Sequence, residues 1–180
     1  MRLVAATLFF IIVFFTDVIP QIEMCNSKWG DSPATVKKKE KFKLTSLSDG
    51  SLNGKYFFLL EEYKATYNFC FDKEQKFNEF WITVQLSKSD ANDYFRVFEK
   101  LTSIIDAISF KREWCKLLWK NNSVEELYSD MPEFYGTALV FGMCSKVCNW
   151  TNAHSNLSML LTDDNLAAKL IIKVSPINLK

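Results

Sequence analysis

The sequence is poor in the residue types that build catalytic sites. Its 180 residues include a single histidine, His154, which lies in the polar segment 151–156 and is predicted to be a surface residue. One histidine in such a segment does not form a serine or cysteine triad. Glycine-rich phosphate loops and dinucleotide fingerprints are also missing. The sequence therefore predicts a protein that is not an enzyme, with no catalytic residues and no cofactor.

An excess of either charge is missing too. The 22 basic and 21 acidic side chains leave a net charge of +1, whereas dedicated nucleic-acid binders carry a basic excess. No nucleic-acid partner is predicted. Cys144 and Cys148 resemble half of a metal site, but a second pair of ligands is missing and His154 stands apart from them. No metal site is predicted either.

Long apolar runs are also lacking, with one exception at the start of the chain. Leu3–Phe15 is apolar throughout, yet it is shorter than the roughly 20 residues that a membrane span needs. It follows Met1-Arg2, and a basic start before a short apolar core is typical of a secretory signal peptide. We predict a signal peptide over residues 1–20, whose end is not defined by a small-residue cleavage site, and a single domain over residues 21–180. A retained signal anchor is the alternative to a secreted, extracellular protein that is not integral to a membrane.

Five cysteines are present in the predicted mature chain. In an exported protein they indicate a disulfide framework, and an odd number leaves one thiol over. We expect Cys70 and Cys115 to lie inside the fold, and Cys144 or Cys148 to be the remaining thiol. The candidates for disulfide bonds are Cys25, Cys70, Cys115, Cys144 and Cys148.

Three Asn-x-Ser/Thr sequons lie in the second half of the chain. They begin at Asn121, Asn149 and Asn156. Sequons are glycosylated in the secretory pathway, so the sequence predicts a glycoprotein in which these asparagines are exposed.

Strict alternation of apolar and polar residues marks the strands. Ala65–Asp72 and Phe80–Ser87 alternate with period two, and Tyr56–Leu60 is apolar on both faces. We predict a three-stranded antiparallel meander over about residues 55–87, with Tyr56–Leu60 as its central or most covered strand. Lys169–Val174 predicts a final strand.

The period changes after the meander. Apolar residues from Tyr94 to Ile108 recur at helical spacing and predict an amphipathic helix. Shorter helices are predicted at Arg112–Trp119 and from the capping-box pattern at Ser123 up to Met131. Strands followed by helices indicate an α+β fold.

Aromatic residues are abundant, with 16 phenylalanines alone. They would line a cavity for a lipid or another small apolar molecule, or they would simply fill the core of a domain that binds an extracellular receptor protein. The residues predicted to bind the ligand are Phe57, Tyr67, Phe69, Phe80, Phe98 and Trp114.

A family resemblance favours the ligand. Cys70 with Trp81–Leu86, then Trp114–Leu118, and finally Cys144–Cys148 resemble the MD-2-related secreted proteins of insects, relatives of the lipid-recognition (ML-like) family. The resemblance implies an all-β sandwich that holds a lipid or pheromone-like molecule between its sheets, with strands over Asp93–Phe110. The function predicted is therefore a secreted binding protein for a small hydrophobic ligand. The alternative is a secreted interaction domain, effector-like or cytokine-like, without a small-molecule ligand.

Overall fold

The computed structural model describes residues 26–40, 43–54, 57–59, 63–86, 91–108 and 110–177, with only the backbone at 57–59. The predicted signal peptide and Cys25 lie outside these ranges, and so does the side chain of Phe57. In the described part of the chain, the helices are too short or too polar to cross a membrane.

Within these ranges the chain forms a nine-stranded antiparallel sheet and four α-helices. The strands are β1 (Leu44–Ser46), β2 (Leu52–Gly54), β3 (Phe57–Leu59), β4 (Tyr63–Phe71), β5 (Phe77–Leu86), β6 (Lys111–Trp119), β7 (Cys144–Thr151), β8 (Ser155–Asp163) and β9 (Ala168–Pro176). The helices are α1 (Pro33–Lys39), α2 (Asp93–Asp106), α3 (Asn122–Tyr128) and α4 (Tyr135–Val140), with a 3-10 helix at Pro132–Phe134. The strand order is β1-β2-β4-β5-β9-β8-β7-β6, and β3 pairs with the start of β4. The predicted combination of an antiparallel sheet, one amphipathic helix and shorter helices is confirmed at this level.

The sheet has one buried face, which we call the core face. On β4 and β5 it carries the predicted apolar sets, so that Tyr67 lies opposite Ile82 and Phe69 lies opposite Phe80. Helix α2 packs on this face against β8, and α4 packs against β7 and β8. The alternate side chains, such as Trp81 and Lys173, are half-exposed on the other face, which we call the open face.

Helix α2 confirms the helical periodicity predicted from Tyr94 onward. Its stripe of Tyr94, Val97, Phe98, Leu101 and Ile105 is buried. The strands that the family resemblance implies over this segment are therefore not formed by residues 93–106. The end of the helix is anchored by Asp106, whose Oδ1 accepts a hydrogen bond from Trp150 Nε1 at 2.8 Å and whose Oδ2 pairs with Arg112 at 2.8 Å.

A glycine sets the distance between α4 and the start of α2. The N–H of Gly136 donates to Asn92 Oδ1 at 3.1 Å, and a Cβ at position 136 would lie 2.3 Å from the backbone carbon of Ala91. Only glycine permits this approach. Asn92 also donates through Nδ2 to the carbonyl of Glu133 at 3.0 Å, which ties the 3-10 helix to the same point.

The structure differs from the prediction at three elements. The strand predicted at Tyr56–Leu60 is present over the described residues as β3 (Phe57–Leu59), but it is not central, because β3 pairs with β4 off the main path while β9, from the far end of the chain, pairs with β5. Arg112–Trp119 is strand β6 rather than a helix, since pairing with β7 along its length outweighs a short stretch of helical spacing. Helix α3 begins after Asn121 rather than at Ser123, because Asn121 Oδ1 accepts the N–H of Val124 at 3.0 Å.

Candidate functional site

The predicted ligand-binding residues do not lie together. Tyr67, Phe69, Phe80 and Phe98 are buried on the core face, with ring centroids 5.5 Å apart for Tyr67 and Phe80 and 5.0 Å apart for Phe69 and Phe80. Trp114 lies on the open face and is 40% exposed. Rings in mutual contact are the usual filling of a core. A ligand cavity among them stays a prediction.

A buried carboxylate lies on the core side of the chain's first described segment. Glu40 is 6% exposed, and its Oε1 accepts hydrogen bonds from the backbone N–H and the hydroxyl of Ser27, at 3.0 and 2.6 Å. Burial raises the pKa of the Tyr67 phenol, and the charge of Glu40 raises it further. Glu40 thus pins the segment before α1 to the core, which is a structural role.

The open face contains a groove of about 290 Å³, near the lower limit for small-molecule pockets. The strand register places five side chains in one row on the open face, in the order Trp114, Asn149, Ser158, Lys173 and Trp81. The first four of them line the groove. The groove is further lined by Glu113, Thr151, Asn156 and Ser175. An aromatic wall beside amides, hydroxyls and one ammonium can bind a small polar molecule with an apolar side.

A β-bulge builds the wall of this groove. Arg112 pairs with Trp150 and Trp114 pairs with Asn149, so Glu113 is an extra residue in β6. The bulge sends Arg112 to the core face and Trp114 to the open face, although both would share a face in a regular strand. Glu113 Oε1 accepts the Thr151 hydroxyl at 2.9 Å and closes one end of the groove.

The opposite wall is held by a charged cluster around Lys173. Its ammonium lies 5.3 Å from the centroid of the Trp81 ring and forms an ion pair with Glu79. Trp81 Nε1 donates to the second oxygen of Glu79 at 2.8 Å. Three side chains therefore fix one another, and Lys173 presents a positive charge to the groove.

Two of the three sequons meet in the groove. Asn149 lies opposite Ser158, and Thr151 lies opposite Asn156, so each asparagine faces the hydroxyl residue of the other sequon. Asn156 is exposed as predicted, whereas Asn149 is half-buried. The third, Asn121, is exposed at the start of α3.

One disulfide bond is present among the described cysteines. It joins Cys115 on β6 to Cys148 on β7, two residues that lie directly opposite each other, so the predicted disulfide chemistry is confirmed for this pair. Cys70 is half-buried on β4 and Cys144 is buried at the start of β7, and neither is bonded to a described cysteine. Of Cys144 and Cys148, it is therefore Cys148 that forms the bridge, and Cys144 is the one without a disulfide to a described cysteine.

The Cys144 thiol is expected to be unreactive in the folded protein. Burial raises its pKa from 9.0 to about 11, and the thiol donates to the Tyr135 carbonyl at 3.8 Å. Because the thiolate is the reactive form, alkylation by iodoacetamide at pH 8 should be about 100-fold slower in the native than in the unfolded protein. Mass spectrometry of a labelling time course, with and without urea, measures the ratio.

The pH dependence provides the control for that experiment. In both states the rate should rise with pH, but the unfolded protein should level off near pH 9 and the native protein only near pH 11. Equal rates in the two states at pH 8 would show that Cys144 is accessible and that the packing around β7 differs from the structure.

His154 lies in the turn between β7 and β8, and its backbone N–H donates to Asn152 Oδ1 at 2.9 Å. It is exposed, as predicted for a surface residue. In the part of the chain that the structure describes, no three His, Cys, Asp or Glu side chains are grouped to hold a metal ion.

Exposed apolar side chains concentrate in one segment. Of the eight large apolar side chains that are exposed among the described residues, five lie between residues 118 and 141, and they are 43–63% exposed. We call them the apolar segment, which consists of Leu118, Leu127, Met131, Phe134 and Phe141. Because exposed apolar surface is where proteins bind partners, these residues are a candidate interaction site.

Part of the groove on the open face could have been predicted from the sequence. Leu157, Met159 and Leu161 alternate with polar residues, which marks β8, and the polar segment before them marks a hairpin turn. A hairpin over residues 144–163 places the two sequons on one face. Glu113, Lys173 and Ser175 carried no local signal, because only the register of β6 and β9 brings them to the groove.

Comparisons of the chain with protein-family models, with curated proteins and with solved structures found no match.

Proposed function

We propose that this chain is an exported, non-catalytic interaction domain that binds an extracellular protein through the apolar segment. The observation that carries this proposal is the concentration of exposed large apolar side chains between Leu118 and Phe141. Burying apolar surface against a partner contributes roughly 25 cal/mol per Å², which is the main favourable term in most protein association.

The apolar segment lies on a rigid support. The Trp119 and Tyr135 rings pack edge to face at 5.6 Å, and the Tyr135 hydroxyl donates to the Ser129 carbonyl. Asn92 fixes the 3-10 helix and α4 to the start of α2. A preorganised surface loses little conformational entropy on binding, which favours a protein partner.

Export is supported by three independent features. The apolar run Leu3–Phe15 has the form of a signal peptide, the chain forms the Cys115–Cys148 disulfide, and three sequons follow. Disulfides persist in oxidising compartments, where sequons are also glycosylated. We therefore propose that the protein is an extracellular glycoprotein.

Site-specific photo-crosslinking tests the proposed surface. A photoreactive amino acid at Leu127 or Phe134 should give a discrete adduct with an extracellular protein from the fluid that bathes the secreting tissue. Leu166 is the matched control, because it is 73% exposed but lies in the turn between β8 and β9. Equal labelling from positions 127 and 166, or no adduct from 127 and 134, would contradict the proposal.

The second candidate is a carrier of a small hydrophobic molecule, favoured by the contiguous rings of Tyr67, Phe69 and Phe80. Native mass spectrometry of the gently purified protein separates the two functions. The interaction domain should be free of ligand and should not take up fatty acids, sterols or fluorescent lipid probes. A stoichiometric lipid adduct would favour the carrier.

A further inference from the structure

The groove on the open face contains the side chain of Asn149, whose amide nitrogen is the atom that N-linked glycosylation modifies in exported proteins. Asn149 lines the groove between Trp114 on β6 and Ser158 on β8, and Lys173 follows Ser158 in the same row. Its sequon is completed by Thr151, which lines the same groove. A sugar on the Asn149 amide would begin inside the groove and not in open solvent.

We propose that the groove holds the first sugar residue of an N-linked glycan on Asn149. The inference rests on the export of the chain. A pyranose ring has an apolar face of C–H groups that stacks on an aromatic ring, and Trp114 supplies that ring as one wall of the groove. The rim supplies the polar partners, because Ser158, Lys173 and Glu113 can bind the hydroxyl and acetamido groups.

The indole is held in position for this contact. The Lys116 ammonium lies 5.9 Å from the centroid of the Trp114 ring, and the bulge at Glu113 turns Trp114 onto the open face. The volume of about 290 Å³ suits a single sugar residue rather than an extended oligosaccharide. The remainder of the glycan would lie over the open face of the sheet.

The attachment must precede folding. The amide Nδ2 of Asn149 bonds to the anomeric carbon of an oligosaccharide carried on a polyprenyl pyrophosphate. The bond between that carbon and the pyrophosphate oxygen breaks, and Nδ2 loses one proton. In the folded sheet β7 is paired on both sides, with β6 and with β8, so the sequon is available only before these strands pair. Folding then brings Trp114 against the attached sugar.

The other two sequons provide contrasts. Asn156 is the diagonal neighbour of Asn149 on the same face, where side chains are about 7–8 Å apart, and it stands exposed at the rim. Asn121 is exposed before α3 and does not line the groove, so its glycan would begin in open solvent. Asn121 is therefore the internal control for an unshielded linkage.

The test uses the full chain expressed in a eukaryotic secretory cell, with glycopeptide mapping of all three sequons. Peptide N-glycosidase is then added to the folded protein, and release is followed at each site. A sugar in the groove shields its own amide linkage, so release at Asn149 should be at least about tenfold slower than at Asn121. The two rates should become equal after denaturation.

Trp114→Ala should remove most of the protection and bring release at Asn149 to within about threefold of release at Asn121, because the stacking wall is gone. Leu118→Ala is the matched control, since Leu118 lies on the same strand, is similarly exposed and lies outside the groove. It should leave the protection unchanged. Release at Asn121 should be the same in all variants because its linkage is unshielded, which shows equal enzyme activity, and the circular dichroism spectrum of each variant shows whether the fold is intact.

The outcomes separate this inference from the proposal of export. A glycan on Asn121 with a bare Asn149, or equal release at the two sites in the folded protein, would overturn the groove inference and leave export standing. Protection that survives Trp114→Ala would also overturn it. A chain that stays in the cell with all three sequons bare would overturn export and the groove inference together.

Discussion

Phe69→Ala is expected to lower the free energy of unfolding by about 3–5 kcal/mol. Phe69 is fully buried on β4, and its ring packs against those of Phe77 and Phe80, with centroids 5.5 and 5.0 Å away. Truncation to alanine loses this burial and leaves a cavity, because neighbouring strands of one sheet cannot close the gap. Urea unfolding followed by circular dichroism measures the difference.

Trp114→Ala is the matched control for this prediction. Trp114 belongs to the same set of aromatic residues that the sequence predicts to bind a ligand, but it lies on the open face and is 40% exposed. Its truncation should lower the free energy of unfolding of the unglycosylated protein by less than about 1 kcal/mol. If Phe69→Ala proved as mild as Trp114→Ala, Phe69 would line an open cavity, and the hydrophobic-carrier function would be favoured over the interaction domain.

The second large effect is expected on removal of the Cys115–Cys148 disulfide. The bond closes a loop with a sequence separation of 33, and the chain-entropy model predicts a stabilisation of about 4 kcal/mol for a loop of this length. The double variant Cys115→Ala, Cys148→Ala should lose about that amount in urea unfolding. The loss arises because the unbridged unfolded chain has more conformations available.

Cys144→Ala separates this effect from simple truncation in the core. Cys144 is buried at the start of the same strand, β7, but it is not bonded to a described cysteine. Its truncation should lower the free energy of unfolding by about 1 kcal/mol, which is typical of a core substitution. A double variant no less stable than Cys144→Ala would show that the crosslink does not stabilise the folded protein.

The two faces of the sheet have different roles in these proposals. On the core face α2 packs against β8 and α4 against β7 and β8, and the aromatic residues of β4 and β5 contact one another. The open face bears two sequons at the groove, so a glycan would cover the part around the groove. Of the apolar segment, Leu127, Met131, Phe134 and Phe141 then remain as the surface available to a protein partner.

Much of the sheet and its main helix could be predicted from local patterns. Strands β4, β5 and β9 alternate with period two because one face of each is buried, and α2 repeats its apolar residues every three to four positions for the same reason. These periods are a property of consecutive residues, so the amino-acid sequence by itself determined these four elements. The sequons and cysteines can also be identified from the sequence, but their positions in the fold cannot.

The tertiary structure alone decided how these groups are arranged. β6 is a strand because β7 pairs with it, and Cys115 bonds to Cys148 because that register places them opposite each other. The bulge at Glu113 turns Trp114 to the open face, and the β7–β8 register sets Asn149 across from Ser158. Each of these facts depends on pairing between residues distant in the chain, and a one-residue change of register would move every side chain to the other face of the sheet.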